Sequence, residues 1–520
     1  MSIRTAALAA VVALAGPTAL AAQAARDVVS ADLERAALTI TEADYLQRVG
    51  VLAHDSMGGR DTPSEGLEKA AAWIASELAG MGLRGAAEDG GFIQRYPLRS
   101  VELDRERSGL EAGGVRLEYG ADVLPIFGLL PGGEASAELV LVSGSQDVEA
   151  GLRGNAVRGK HAVLVLAAGA PGPTQADQRV MAALRSAGAA SVLVTSAAAD
   201  DSWSASASRI LEPSLSRGWV TEPADRAGPF RPMLLVRTSA LERLLEGRGA
   251  DLGALQRRAR EELRVDRLGL TARLSQVVRE RTVDAPNVVA VLEGSDPELR
   301  DEYVAFSAHM DHVGIGLPNE AGDSIYNGAD DDASGTTAVI EIAEAMASLP
   351  EPPRRSLLFL LVSGEEKGLW GSEYFSEYPA VPLDRVVADL NIDMVGRNWT
   401  DTIVAIGKEH SDLGATLERV NAEHPELGMT AIDDLWPEEN FYFRSDHYNF
   451  ARKGVPILFF FNGTHEDYHG LDDEPDRIDG EKAARVARLI FYLGAEVANT
   501  TARPQWDPES YRNIVEQSAR

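Results

Sequence analysis

Five short apolar runs in the C-terminal half of the chain constrain its fold more than any other feature: 287–292, 303–307, 356–362, 386–393 and 456–461. Between and after them lie segments with apolar residues at helical spacing, over 336–347, 370–378, 413–423 and 481–498. A strand that is apolar along its whole length must be covered on both faces, and alternation with helices supplies the cover. The predicted architecture is therefore α/β, a mostly parallel or mixed central sheet with helices on both faces. In such sheets ligands gather beyond the carboxyl ends of the strands.

Polar clusters stand at those ends. The run 303–307 leads into His309-Met310-Asp311-His312, and Gly328-Ala329-Asp330-Asp331-Asp332-Ala333-Ser334-Gly335 opens a helix. The run 356–362 leads into Ser363-Gly364-Glu365-Glu366, 386–393 ends in Asn391-Ile392-Asp393, and 456–461 leads to His465-Glu466-Asp467-Tyr468-His469. Each has an ordinary structural explanation taken alone, since aspartates before a helix usually cap it and a Glu-Glu pair after a strand usually faces water. Five together at the ends of apolar strands are another matter, because a buried carboxylate is costly unless it is paired or holds a metal. Imidazole and carboxylate donors without sulfur suit zinc, with cobalt or manganese as substitutes. Two histidines and three carboxylates can serve two ions about 3.5–4 Å apart if one carboxylate bridges them.

The rest of the chain carries less chemistry. One positive charge at Arg4 precedes an apolar run from Ala6 to Ala15, followed by small residues that fit an A-x-A cleavage site at Ala19–Ala21 or Ala22–Ala24. This is the pattern of a signal peptide over residues 1–25, so export to the periplasm or the medium is expected. After it a helix is expected over 65–81, stopped by Gly82. Residues 113–270 read as a smaller inserted α/β module. Its short apolar runs (139–142, 162–166, 191–194, 233–236) alternate with Gly/Ser/Ala-rich loops and a helix at 177–187, and it holds a single histidine, His161. The Arg-rich stretch 257–281 is expected to be a solvated helix and connector. Acidic residues outnumber basic ones by 80 to 50, which argues against nucleic acid or an anionic membrane as partner. There is no cysteine, so thiolate nucleophiles, thiolate metal sites and disulfides are excluded. No later run approaches the length of a membrane span, and no membrane insertion is expected after signal removal.

The clusters resemble the M28 metallopeptidases, the co-catalytic zinc aminopeptidase family, in both order and spacing. The resemblance covers about 40–98 and 287–498, and the segment between resembles a protease-associated (PA) insert in texture and position. It implies a zinc exopeptidase fold with a discontinuous catalytic domain, 26–112 and 271–505, a PA-like insert over 113–270 and a tail over 506–520. It further implies two zinc ions. His309 and Asp393 would hold one, Glu366 and His469 the other, and Asp331 would bridge. Glu365 would be the general base, and Asp311 would orient His309. The peptide between Asp331 and Asp332 would be cis. Tyr468-His469 followed by Asp473 matches the family's tail motif, although Gly470-Leu471 stands where members often have Thr-Pro. His465 is an alternative to His469. Arg444-Ser445-Asp446-His447 matches a recurring family segment, so Arg444, Asp446, His447 and Tyr468 are expected to line the pocket or back the ligands, and His312 to sit behind a ligand or at the pocket rim.

The function so implied is hydrolysis of the N-terminal peptide bond of peptides. Alternatives are a carboxypeptidase or dipeptidase of the same superfamily, which would need Arg397 or Arg444 to grip the substrate carboxylate, and a one-zinc glutaminyl-cyclase-like transferase. A metal-free binding protein retaining the fold would be expected to have lost ligands, and here the set is complete.

Overall fold

In the computed structural model, which describes residues 31–126, 132–220 and 230–518, the chain divides into two units. One holds the chain up to Tyr96 together with Asp284–Arg520, and the other is Pro97–Val283. The signal-like segment lies outside the described residues.

The first unit is built on a mixed sheet. Among its strands are β1 (Val278–Leu292), β2 (Tyr303–His309), β3 (Ser356–Val362), β4 (Val386–Ile392), β5 (Thr402–Ile406), β6 (Thr430–Ile432) and β7 (Ile457–Phe460), in the order β6-β5-β7-β4-β2-β3-β1. The central strands β7, β4, β2 and β3 run parallel, while β1 and β5 flank them antiparallel. Parallel pairing brings the carboxyl ends of β2, β3, β4 and β7 to one edge, which is why clusters far apart in sequence meet there. β5 and β6 were not expected, being too short or too polar to stand out.

Successive residues of each strand face opposite layers. Val304, Phe306 and Ala308 of β2 join a core formed with the helices α1 (Glu42–Leu52), α2 (Glu65–Gly80), α3 (Gly335–Ala347), α5 (Leu413–Glu423) and α7 (Gly480–Asn499). Ala305 joins the opposite core, with α4 (Trp370–Glu377) and α6 (His447–Ala451). Helix α2 starts where the Ser64 side chain accepts the Leu67 N–H, and α7 where Asp479 accepts from Lys482. In α7, Gly494 lies against the ring of Phe306, which stacks on Phe359 at 5.4 Å; a Cβ at Gly494 would come within 2.2 Å of that ring. Residues 506–518 pack on this unit too, with Ile514 buried and Trp506 Nε1 donating to the Gly454 carbonyl at 2.9 Å.

The second unit has its own eight-stranded sheet, and the runs expected there form the strands Gly133–Ser143, His161–Leu164, Ser191–Ser196 and Met233–Arg237. The Arg-rich stretch is not a helix and connector: helix ends at Arg257, and Arg264–Gln276 is a strand antiparallel to Gly133–Ser143. Leu270, Ala272 and Leu274 alternate inward while Arg267 and Arg273 face water, so the charges concealed a period of two. His161 is buried, 2.8 Å from Ser191 Oγ and 3.2 Å from the Ala135 carbonyl, a satisfied core histidine. Among the described residues, no helix is long and apolar enough to cross a membrane.

Candidate metal centre

Two groups of donors meet at the carboxyl edge of the first unit's sheet. In the first, His309 Nε2 lies 3.3 Å from Asp331 Oδ1 and 3.6 Å from Asp393 Oδ1. In the second, His469 Nε2 is 3.1 Å from both Asp331 Oδ2 and Glu366 Oε1. Asp331 thus turns one oxygen to each group, the arrangement of a bridging carboxylate. Asp331 Oδ2, Glu366 Oε1 and Asp393 Oδ1 are buried without a hydrogen-bond partner. Orphaned buried carboxylate oxygens converging on imidazole nitrogens are what cation binding requires, so the residues fit two metal ions. The second group also contains His312, whose Nδ1 is 3.1 Å from Glu366 Oε1 and 3.7 Å from Asp331 Oδ2. The expectation for His312 was a place behind a ligand or at the rim; its spacing in His309-Met310-Asp311-His312 was the available signal.

The donors are held by a buried frame. Asp473 accepts the backbone N–H groups of Asp330 and Asp331 at 3.0 and 3.1 Å, cradling the loop that delivers the bridge, and the Asp331–Asp332 peptide is cis. Asp332 belongs to neither donor group and ties three elements together, accepting the N–H groups of His309, Gly335 and Met394. The guanidinium of Arg60, fully buried, donates to the carbonyls of Met310, Leu52, Asn327 and Gly328. Asp311 meets His309 through both its backbone and its carboxylate. His309 Nδ1 donates to the Asp311 backbone carbonyl at 3.1 Å, with the carboxylate 3.7 Å off. That carboxylate also accepts from the Gly364 N–H (2.7 Å), the Glu365 N–H (3.3 Å) and the Thr62 hydroxyl (2.9 Å). It therefore clamps the turn that carries Glu365.

A polar chain runs through the sheet to Asp393. The Ser307 hydroxyl lies 2.7 Å from Asp389 Oδ1 and 2.9 Å from Asn391 Oδ1, yet has one proton to give. Burial pushes the Asp389 carboxyl up to about 7, and the Ser307 hydroxyl, set between the Asp389 and Asn391 oxygens, donates to one or the other. Asn391 Nδ2 then donates to Ser445 Oγ at 3.3 Å, and Ser445 donates to Asp393 Oδ2 at 3.0 Å, which leaves Oδ1 facing the centre.

The titration behaviour reports the same demand for positive charge. Burial opposes a charged His469, but the carboxylates of Asp331 and Glu366 push its pKa up to about 10. Burial likewise raises Asp331 and Glu366, and the imidazoles around them more than reverse that rise. Glu365 is held well above the usual carboxylate range by burial, with Asp446, Asp393 and Glu366 adding to the rise and His309 opposing it. It belongs to neither donor group.

Glu365 lines a pocket with His309, Asp331 and Asp393, walled by Phe441, Phe459, Phe461 and Met394. Arg444 and Tyr468 also line it; Arg444 lies over the Phe441 ring at 4.8 Å, and Tyr468 stacks on His469 at 3.9 Å. Asp446 is buried and accepts from Ser372 at 2.5 Å. His447 does not reach the donors: its Nε2 donates to the Tyr442 carbonyl at 2.8 Å, its ring stacks on Phe459, and burial lowers its pKa to about 3. His465 turns to Asp330 at 3.3 Å and joins neither group, and Arg397 is paired with Asp467 at 2.8 Å.

Residues 287–494 match the model of peptidase family M28. Among curated proteins, the chain is 26% identical over 286 residues to a probable zinc metalloprotease of Pyricularia oryzae, covering 48% of this chain and 54% of the relative. It is 26% identical over 224 residues to a probable leucine aminopeptidase of Arthroderma benhamiae, covering 42% and 58%. The chain thus spans about half the length of the curated relatives it matches. Among solved structures it is similar to an aminopeptidase from Aneurinibacillus sp., at 19% identity and a TM-score of 0.48 over 91% of this chain and 97% of that one. The match to the peptidase family M28 model, residues 287–494, takes in every donor of both groups.

Proposed function

We propose that the protein is an exported zinc-dependent aminopeptidase that holds two zinc ions and releases apolar N-terminal residues from peptides. The observation that carries this reading is the pair of donor groups sharing Asp331, with Glu365 beside them in an aromatic-walled pocket. His309, Asp331 and Asp393 would hold one ion, and Asp331, Glu366 and His469 the other. Bound zinc supplies Lewis-acid polarisation of the scissile carbonyl and acidifies water.

The chain's own residues do the rest. Glu365, placed by the Asp311 clamp on its backbone, takes the proton of the attacking water and returns it to the leaving amine. Phe441, Phe459, Phe461 and Met394 form the wall against which an apolar side chain packs, and each side chain fully buried there contributes roughly 1.5–3 kcal/mol. Arg397 is engaged by Asp467 and poorly placed to grip a substrate carboxylate, whereas Arg444 lines the pocket, so the test below decides the direction. The PA-like insert, 113–270, would lie within the unit Pro97–Val283, whose described residues hold no donor group.

The test is a panel of leucyl peptides with free and blocked ends. Acetylating the N-terminus should abolish cleavage and amidating the C-terminus should be tolerated; the reverse pattern refutes the direction proposed.

A further inference from the structure

The two donor groups differ in number. The group of His309, Asp331 and Asp393 offers three atoms, whereas the group of Asp331, Glu366 and His469 is completed to four by His312. We propose that His312 is a metal ligand, which makes one position closed, with four protein donors, and leaves the other open. This rests on reading the centre as a two-metal site.

Three observations carry it. First, the His312 side chain is fully buried, and neither ring nitrogen has a hydrogen-bond partner. His309 is the contrast: its Nδ1 is satisfied by the Asp311 carbonyl, which leaves Nε2 for the metal. A buried imidazole with both nitrogens idle is costly, and coordination would satisfy Nδ1. Second, the spacing suits a tetrahedron. Bonds of about 2.0–2.1 Å imply donor–donor edges of about 3.3–3.4 Å. His312 Nδ1 stands 3.1 Å from Glu366 Oε1 and 3.7 Å from Asp331 Oδ2, and His469 Nε2 stands 3.1 Å from each of the same two oxygens. Were Nδ1 protonated to hydrogen-bond Glu366, its proton would occupy the oxygen that also faces His469. Third, the pocket agrees. All three donors of the open group line it with Glu365.

The ring has little freedom to leave. Its backbone N–H donates to the Arg60 carbonyl at 3.3 Å, and it packs so closely on Gly328 that a Cβ there would lie 2.5 Å from the ring. Closed tetrahedral sets are the pattern of structural metal sites, and sets with a free position that of catalytic ones. On this geometry the chain holds one ion as a fixed part of the fold and presents the other to the substrate.

Titration of the metal-free protein with Co²⁺, followed by calorimetry and visible absorption, tests this without turnover. The wild-type protein should bind in two classes, and the tighter should show the intense visible bands of four-coordinate Co²⁺. His312→Gln should weaken that class roughly 10–100-fold or more and dim its bands, while His309→Gln should affect the weaker class. Two equal classes with only the faint bands of five- or six-coordinate Co²⁺ in the wild-type protein would overturn the inference, even should the His312 variant fail to fold. A folded His312→Gln protein with unchanged affinities and spectrum would overturn it as well. A wild-type protein that bound no metal at all would bring down the two-metal reading itself.

Discussion

Glu365→Gln and Glu366→Gln should fail in different ways, although the residues are adjacent. The Glu365 side chain belongs to neither donor group, and its position is set through its backbone by the Asp311 carboxylate, which accepts the N–H groups of Gly364 and Glu365 at 2.7 and 3.3 Å. An amide of the same shape leaves those bonds in place but cannot take a proton. The Glu365→Gln protein should therefore fold, keep its metal and bind peptide, and lose the acid–base contribution, roughly 10²–10⁴ in kcat, or about 3–5 kcal/mol of barrier. Glu366 instead places Oε1 3.1 Å from both His312 and His469. Glu366→Gln replaces an anionic donor by a neutral one among imidazoles, so metal content should fall, and added zinc should restore part of the activity. Elemental analysis and peptide hydrolysis on the same preparations separate the two. Loss of metal in Glu365→Gln with retention in Glu366→Gln would refute the assignment, and so would normal turnover in Glu365→Gln.

Asp389 predicts a pH-dependent stability. Its folded pKa, about 7, is raised above the ordinary carboxylate value of 3.8, so its stabilising contribution is complete below the unfolded pKa and is lost as pH rises through 7. Across the two units from pH 5 to pH 7 this costs about 3 kcal/mol. Asp389→Asn, which does not titrate, should flatten that decline in denaturant titrations, and an unchanged slope would refute the protonated state. Chelation should act on one unit alone: metal held at roughly a thousand times its Kd adds about 4 kcal/mol to whatever folds around it. Calorimetry with a chelator should therefore lower the transition of the first unit and spare that of Pro97–Val283, where the described residues hold no donor group.

How much was legible beforehand depended on whether the signal was local. The alternation of apolar strands and helices, and the polar cluster closing each strand, are properties of short segments, because a fully covered strand must be apolar throughout and its end marks where that cover stops. Hence α3, α5 and the strands β2, β3, β4 and β7 stood out, as did the five polar clusters, within which the family resemblance singled out His309, Asp331, Glu366, Asp393 and His469. Arg264–Gln276 did not, because the arginines on its solvent face outweighed the alternation of Leu270, Ala272 and Leu274. Only the folded chain decided that His465 turns to Asp330 while His312 turns to Glu366, since strand order, not sequence distance, sets which loops meet at the sheet's carboxyl edge. The same holds for the chain from Asp389 through Ser307, Asn391 and Ser445 to Asp393. It steps between residues 82, 84, 54 and 52 positions apart, and no local pattern marks a serine or an asparagine as part of it until parallel pairing lays those positions side by side.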